Sequence, residues 1–382
     1  MTSSTSNLKL RDLHSWRTVR YSEDTGRFCS NSAVGIELEV EGFIGSTSSL
    51  DHDLVQVIDD NSLRNYGKEF IFNGPQSGAK IEQALDSLYS VVQSSNCTVS
   101  ERCSTHIHID ITDLTVQQFK NFVACSVLFE HVLFGLFGST RRSNMFCLPV
   151  DCNTHQMNLI GDILERDTAF PSGTAVSKYS GLSFNRFRDL GTVEFRMFDA
   201  VLDKERACNL IEFLLRMKKY STENLRKPED LIDIKLSKRL RDVFIDVFKD
   251  EALVQTFEDE QNLNDLMERG IQTLNDVLVR VQVTNSVNVA KASHLKEIER
   301  LHDVVQRAEY GLVPPPSSEP QPVSPERASR PTSPPQTQFN WLQGRTVQDI
   351  ENMLRETTQQ EFPDTSNTSD TSATVRGIRT WV

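Results

Sequence analysis

The chain lacks the short signatures that usually announce a chemistry. It has no GxGxxG and no GxxxxGK[ST], so neither common glycine-rich phosphate loop is present. Its seven cysteines are odd in number and scattered, with no CxxC pair. That spacing does not describe a secreted disulfide scaffold and reads as reduced thiols in a cytoplasmic setting. Met1 to Asn7 is Ser/Thr-rich and has no apolar signal core. Long hydrophobic runs are missing too. The most apolar stretch, Phe119 to Phe137, is interrupted by Lys120, Asn121, Glu130 and His131, which fits a buried helix better than a membrane span. Positive charge is short as well. The formal net charge of the 382 residues is -12, which repels phosphate backbones at long range and disfavours non-specific nucleic-acid binding. A locally basic nucleotide pocket remains compatible with it. What is present is an ordinary globular balance, 38% hydrophobic and 25% charged, enough for one large core with appendages.

Periodicity divides the chain. Residues 1–30 form a polar N-terminal extension with little pattern. Ala33 to Phe43 alternates apolar and acidic residues with period two and predicts a strand. Leu54 to Phe72 has a turn-rich centre at Asp59-Asp60-Asn61-Ser62, then a short strand around Glu69 to Phe72. Ile81 to Gln93 predicts an amphipathic helix, Thr105 to Ile111 a second alternating strand, and Thr115 to Phe137 a long core helix capped by Thr112 or Asp113. Asn144 to Thr154 reads as a loop, Leu182 to Phe187 and Thr192 to Phe198 as strands, and Lys204 to Lys219 as a helix. Site-like motifs end near Tyr220, so 31–222 reads as one domain. Residues 223–312 then form a helical accessory region, and 313–340 a Pro/Ser-rich linker expected to be disordered. In 341–382, a short amphipathic helix over Trp341 to Glu356 precedes a polar, mobile tail. A tethered docking peptide for a protein partner and a tail with no specific task fit that arrangement equally.

Five clusters carry chemistry. In Gly35-Ile36-Glu37-Leu38-Glu39-Val40-Glu41, residues two apart share a strand face, so three carboxylates line one surface and Ile36, Leu38 and Val40 the other. The plain alternative is a solvated edge strand. His106-Ile107-His108-Ile109-Asp110 puts two imidazoles and a carboxylate on one face, a metal- or phosphate-type pattern. Cys103 nearby raises a zinc site as a rival, but no second pair of soft ligands completes it. Glu194 and Arg196 in Thr192-Val193-Glu194-Phe195-Arg196 share a face, either as an ordinary ion pair or as a metal carboxylate with a phosphate-binding guanidinium. Asp60-Asn61-Ser62-Leu63 leads into Gly67-Lys68-Glu69-Phe70, an acidic turn before another carboxylate, or a plain surface turn. Arg141-Arg142 stands at a helix end, where compensation of the helix dipole is the alternative. Hard oxygen ligands from Glu37, Glu39, Glu69 and Glu194 with one imidazole suit Mg²⁺ or Mn²⁺ on a triphosphate, with arginines to neutralise a transferring phosphoryl group.

The order of these motifs resembles the amidoligases, a family of glutamine-synthetase-like carboxylate–amine ligases with many phage and fungal members. It runs Gly-x-Glu-x-Glu, Asp-x-Ser-Leu…Gly-x-Glu-Phe, His-x-His-x-Asp, Arg, Tyr-x-x-Leu, then Thr-x-Glu-Phe-Arg-x-Phe. The match covers roughly Ala33 to Tyr220. It implies an α+β fold, a curved antiparallel sheet backed by helices, with ATP and Mg²⁺ (or Mn²⁺) on the concave face. By the resemblance, Glu37, Glu39, Glu69, His106 and Glu194 are the metal ligands. His108, Arg141 and Arg196 contact phosphate, Arg142 sits near an acyl phosphate, and Asp60 orients or deprotonates the amine. Three positions depart from the family pattern: Ser104-Thr105 stand where a Gly is expected before the first His, Ser183 stands for Asn, and Ala200 for Gly. None removes an implied ligand.

The resemblance therefore implies an ATP-dependent ligase for small-molecule or peptide carboxylates and amines, in the cytoplasm, or in a host's cytoplasm if phage-encoded. A homo-oligomer is compatible with it, and neither nucleic acid nor membrane is expected as partner. Two rivals stay open at this point: a phosphotransferase on the same fold, and a binding or structural module that keeps the fold without catalysis.

Overall fold

Among the described residues seven strands pair into one sheet, each strand pairing antiparallel. They are β1 (Ala33–Val40), β2 (Val55–Asp59), β3 (Lys68–Phe72), β4 (Gln76–Ser77), β5 (Ser104–Asp110), β6 (Leu182–Ser183) and β7 (Thr192–Asp199). Their order across the sheet is β2-β3-β1-β5-β7-β6, with β4 on the first residues of β1. This computed structural model describes residues 8–14, 16, 19, 21, 26–28, 32–165, 179–237, 240–249 and 262–280, all within one unit spanning Met1–Ile298. The fold is α+β. The helices are α1 (Leu10–Leu13), α2 (Ala79–Ser94), α3 (Val116–Phe137), α4 (Thr154–Glu165), α5 (Phe187–Leu190), α6 (Lys204–Glu223), α7 (Asp230–Ser237), α8 (Leu240–Phe248) and α9, residues 262–280. The linker and tail expected over 313–382, and the end of the accessory region, lie outside the described residues.

Strand order settles the first ambiguity. β1 has β3 on one side and β5 on the other, so it is no solvated edge, and all eight of its residues are buried. Ile36, Leu38 and Val40 are fully buried in the apolar core, whereas Glu37 and Glu39 are only 9% and 8% exposed on the opposite face. Four carboxylates and two imidazoles buried together make an expensive arrangement unless something of opposite charge compensates them.

The core helix is α3. Lys120, Asn121, Glu130 and His131 do not bring it to the surface, and it is buried on nearly every side. By length and composition it could cross a membrane, but 89% of its most apolar window is buried inside the fold, as in a core helix. Phe122 meets Phe195 of β7 at 6.2 Å, and Phe137 meets Phe213 of α6 at 5.8 Å. Each fully buried Phe contributes roughly 1.5–3 kcal/mol. On its far side α3 is crossed by α9 so closely that a Cβ on Gly270 would lie 1.8 Å from the Leu128 carbonyl oxygen. Only glycine permits that approach.

Some local expectations need correction. The cap of α3 is Thr115, not Thr112 or Asp113: Thr115 and Gln118 form a reciprocal capping box. The Asn144–Thr154 loop contains a 3₁₀ turn, Val150–Cys152, and α4 begins at Thr154. The Leu182–Phe187 strand is only Leu182–Ser183, because the chain turns into α5 at Phe187. The pairing of β5 with β7 also slips: Ile107 faces Phe195 but Thr105 faces Phe198. β7 thus carries one extra residue across Arg196 and Met197, and such bulges commonly re-aim a side chain beside a site.

Candidate active site

Because β3, β1, β5 and β7 are neighbours, their period-two alternation builds rows across one face. The registers set Glu39 beside Glu69, Glu37 beside His106, and His108 beside Glu194. All six are buried. Asp60 follows β2 in a loop closed by its own N–H on the Gly67 carbonyl at 3.1 Å. Three sets of ligand atoms each lie within 4.8 Å of one another: Glu37, His108 and Glu194; Glu37, Glu69 and His106; Glu39, Asp60 and Glu69. Glu37 belongs to two sets and Glu69 to two. No cysteine joins any of them among the described residues, and burial pushes the Cys103 thiol up, away from thiolate character. The zinc rival therefore has no support here.

Hydrogen bonds orient these groups. The Ser104 hydroxyl donates to Glu39 Oε2 at 2.5 Å and lies 2.7 Å from His106 Nε2. A serine has one proton. Given to Glu39, it leaves the Ser104 oxygen to accept from His106 Nε2–H. His106 Nδ1 then points at Glu37 Oε2, 3.1 Å away, and Glu194 Oε1, 3.7 Å away. A nitrogen lone pair facing carboxylate oxygens at that range requires a proton or a cation between them. His108 has the same surroundings: its Nε2 lies 3.3 Å from Glu37 Oε1 and 4.0 Å from Glu194 Oε1, while its Nδ1 pairs with Thr192 Oγ1 at 3.2 Å. Ring nitrogens held from behind in this way are what metal-binding imidazoles display.

The electrostatics agree. Burial acts to raise the carboxyl of Glu37, yet His106 and His108 outweigh it and hold it well below the usual carboxylate range. Burial opposes ionisation of Glu194 too, and His108, Arg196 and His106 overcome it. Burial opposes the charge on Arg196, and Glu194, which it hydrogen-bonds, with Glu37 and Glu39 hold its pKa above ordinary. At an effective dielectric of about 20, two carboxylates 4.8 Å apart repel by roughly 3.5 kcal/mol. Five carboxylates share this face with Arg196, so cations are the natural counterweight.

The two remaining arginines separate. Arg141, 3% exposed, ends the turn after α3 and donates through Nη1 to the Cys103 carbonyl at 3.2 Å, just before β5. No hydrogen bond or ion pair among the described residues ties Arg142 to the face. Burial lowers its pKa, and the charged groups acting on it are Arg269, Asp151 and Cys152. Arg269, the charged group that lowers it most, stands on α9. Asp110, the third member of the His-x-His-x-Asp face, joins none of the three ligand sets. Its carboxylate accepts from Tyr21 and from the Thr112 N–H.

Residues 75–218 match the family model described as "Putative amidoligase enzyme". The amidoligase resemblance is shown over that segment. It contains His106, His108, Arg141, Glu194 and Arg196, while β1, the loop after β2 and β3 supply Glu37, Glu39, Asp60 and Glu69 from outside it. At the level of class, the family description supports a carboxylate–amine ligase. No curated protein matches the chain. Among solved structures, a bifunctional glutathione synthetase from Pasteurella multocida is similar at 11% identity and a TM-score of 0.33, covering 65% of this chain and 52% of that one. The chain thus spans about half the length of that structure.

Two residues of the site were not singled out as site residues from sequence. Ser104 stands two positions before His106 and Thr192 two before Glu194, so the alternation that revealed the ligands also placed these partners on the same face.

Proposed function

We propose that the chain is an ATP- and Mg²⁺- (or Mn²⁺-) dependent carboxylate–amine ligase on a glutamine-synthetase-like sheet, forming an amide or peptide bond through an acyl phosphate. The observation that carries this reading is the meeting of Glu37, Glu39, Glu69, Glu194, His106 and His108 on one buried face beside Arg196. The donor set fits the cations: carboxylate oxygens dominate, each set holds at most one imidazole, and no thiol takes part. Glu37, Glu194 and His108 would hold one cation, and Glu37, Glu69 and His106 another. When bound, the cations screen the triphosphate and ATP supplies the phosphoryl group that activates the substrate carboxylate.

The protein's own groups do the rest. Ser104 and Thr192 keep the imidazoles turned toward the carboxylates. Arg196 presents a fixed fork to charge developing on the phosphoryl group. Glu39, Glu69 and Asp60 form an oxygen-rich set able to hold a protonated amine, and Asp60, the least buried, accepts its proton. The amine nitrogen then attacks the acyl carbon, the C–O bond to phosphate breaks, and the departing phosphate takes up the second N–H proton. Burial of the face keeps water from the acyl phosphate. Arg142 has no part in this reading. The substrates are accordingly small-molecule or peptide carboxylates and amines, in the cytoplasm.

Hydroxylamine tests the mechanism by standing in for the amine. Incubated with ATP, Mg²⁺ and a panel of carboxylates, the protein is expected to release phosphate and a hydroxamate in equal amounts. A stable phosphorylated product formed without any amine would make the protein a kinase instead.

A further inference from the structure

The N-terminal segment precedes both the family match and the amidoligase motifs, yet its described residues reach the sheet end that carries His108. Leu10 N–H donates to the Leu114 carbonyl at 2.7 Å and Arg11 N–H to the Thr112 carbonyl at 3.1 Å. Trp16 Nε1 donates to the Arg188 carbonyl at 2.9 Å. The Trp16 indole lies against Gly191, where a Cβ would come within 3.0 Å of the ring and 2.5 Å of Thr112 Cγ2, at a φ of +67°. Gly191 in turn accepts from the Ile111 N–H at 3.0 Å. The segment, the end of β5 and the start of β7 are therefore tied together.

Tyr21 makes the most direct connection. Its hydroxyl donates to Asp110 Oδ2 at 2.5 Å and lies 3.5 Å from Thr112 Oγ1. The other Asp110 oxygen accepts from the Thr112 N–H at 3.0 Å, and Asp110 itself is 1% exposed. From behind, Lys218 of α6 donates to the Asp110 carbonyl at 2.6 Å. Asp110 follows His108 by two on the same face and is paired in register with Thr192, the hydroxyl that holds His108 Nδ1. A displacement of this end of β5 against β7 changes the Thr192 contact at His108 Nδ1.

We propose that Tyr21 is a positioning residue of the site, acting through Asp110 and the β5–β7 end on the orientation of His108. The inference is independent of catalysis; only its second readout rests on the cation-site reading.

The test uses the full chain as Tyr21→Phe, with Trp16→Phe as a variant that loses another bond of the same segment and Thr192→Val to calibrate the effect of freeing His108. The first readout is the imidazole ¹⁵N–¹H NMR spectrum without metal, the His108 signal being identified by its loss in His108→Asn. The second is Mn²⁺ affinity by electron paramagnetic resonance. The expected result is that Tyr21→Phe moves the His108 resonances toward those of Thr192→Val and weakens Mn²⁺ binding about tenfold, at the low end of the effect of partners behind a metal ligand. Trp16→Phe should lower the melting temperature and change neither readout. A His108 signal unmoved in Tyr21→Phe, or moved equally by Trp16→Phe, overturns the proposal. If the unaltered protein binds no Mn²⁺, the cation-site reading falls, and the His108 spectrum alone decides the role of Tyr21.

Discussion

Removing the Ser104 hydroxyl is the sharpest perturbation of the bridge between Glu39 and His106. In Ser104→Ala two buried polar atoms lose their partner at once, Glu39 Oε2 at 2.5 Å and His106 Nε2 at 2.7 Å. A buried group left without its hydrogen bond costs about 1–3 kcal/mol, more when it is charged, and water enters poorly where both residues are under 9% exposed. A loss of about 2–3 kcal/mol is expected for the metal-free protein. At roughly 2–4 °C per kcal/mol for a fold of this size, the melting temperature should fall by about 4–12 °C. The same change frees the ring of His106, and Mn²⁺ affinity should drop about ten- to a hundredfold. Calorimetric melting and Mn²⁺ titration of native and variant chains check both numbers. A variant that melts within about 1 °C of native and binds Mn²⁺ equally well would refute the bridge.

Legibility from sequence follows how local each feature is. The ligand rows of β1, β5 and β7 could be read because period-two alternation alone decides which side chains share a face, whatever the strands pair with. Whether Glu37 and Glu39 faced solvent or a buried site could not, since that depends on β1 having two neighbours. β2 went unread because Val55–Asp59 is short, runs straight into the Asp60 turn and is mostly half-buried. That Arg141 reaches the Cys103 carbonyl while Arg142 feels Arg269 depends on packing far along the chain. The Tyr21–Asp110 bond spans 89 positions and lies in a segment without periodicity. Residue types marked the candidate groups, and tertiary pairing decided which of them share the buried face.

Gly270→Ala should destabilise the fold by about 3 kcal/mol or more in urea unfolding, because α9 must move off the Leu128 backbone; native-like stability would contradict the close crossing. Glu130 is fully buried, and burial pushes its carboxyl up to about 8, with its Oε2 accepting from the Val150 N–H at 2.8 Å. An acid whose folded pKa exceeds its unfolded value of 4.5 favours the fold only while protonated, so stability is lost as pH rises from about 4.5 to about 8. The cost is about 5 kcal/mol as an upper bound. Glu130→Gln should flatten that part of the pH–stability curve measured by urea midpoints, and parallel curves for the two proteins would defeat the assignment.

The most direct test of the central claim is calorimetric binding of ATP with and without Mg²⁺ or Mn²⁺, for the native chain and for Glu37→Gln and Glu194→Gln, each shown to be folded. The account predicts that the native protein binds ATP only with the cation, and that each neutralisation lowers that affinity about a hundredfold or more. Absence of binding by the native protein with either cation would contradict it.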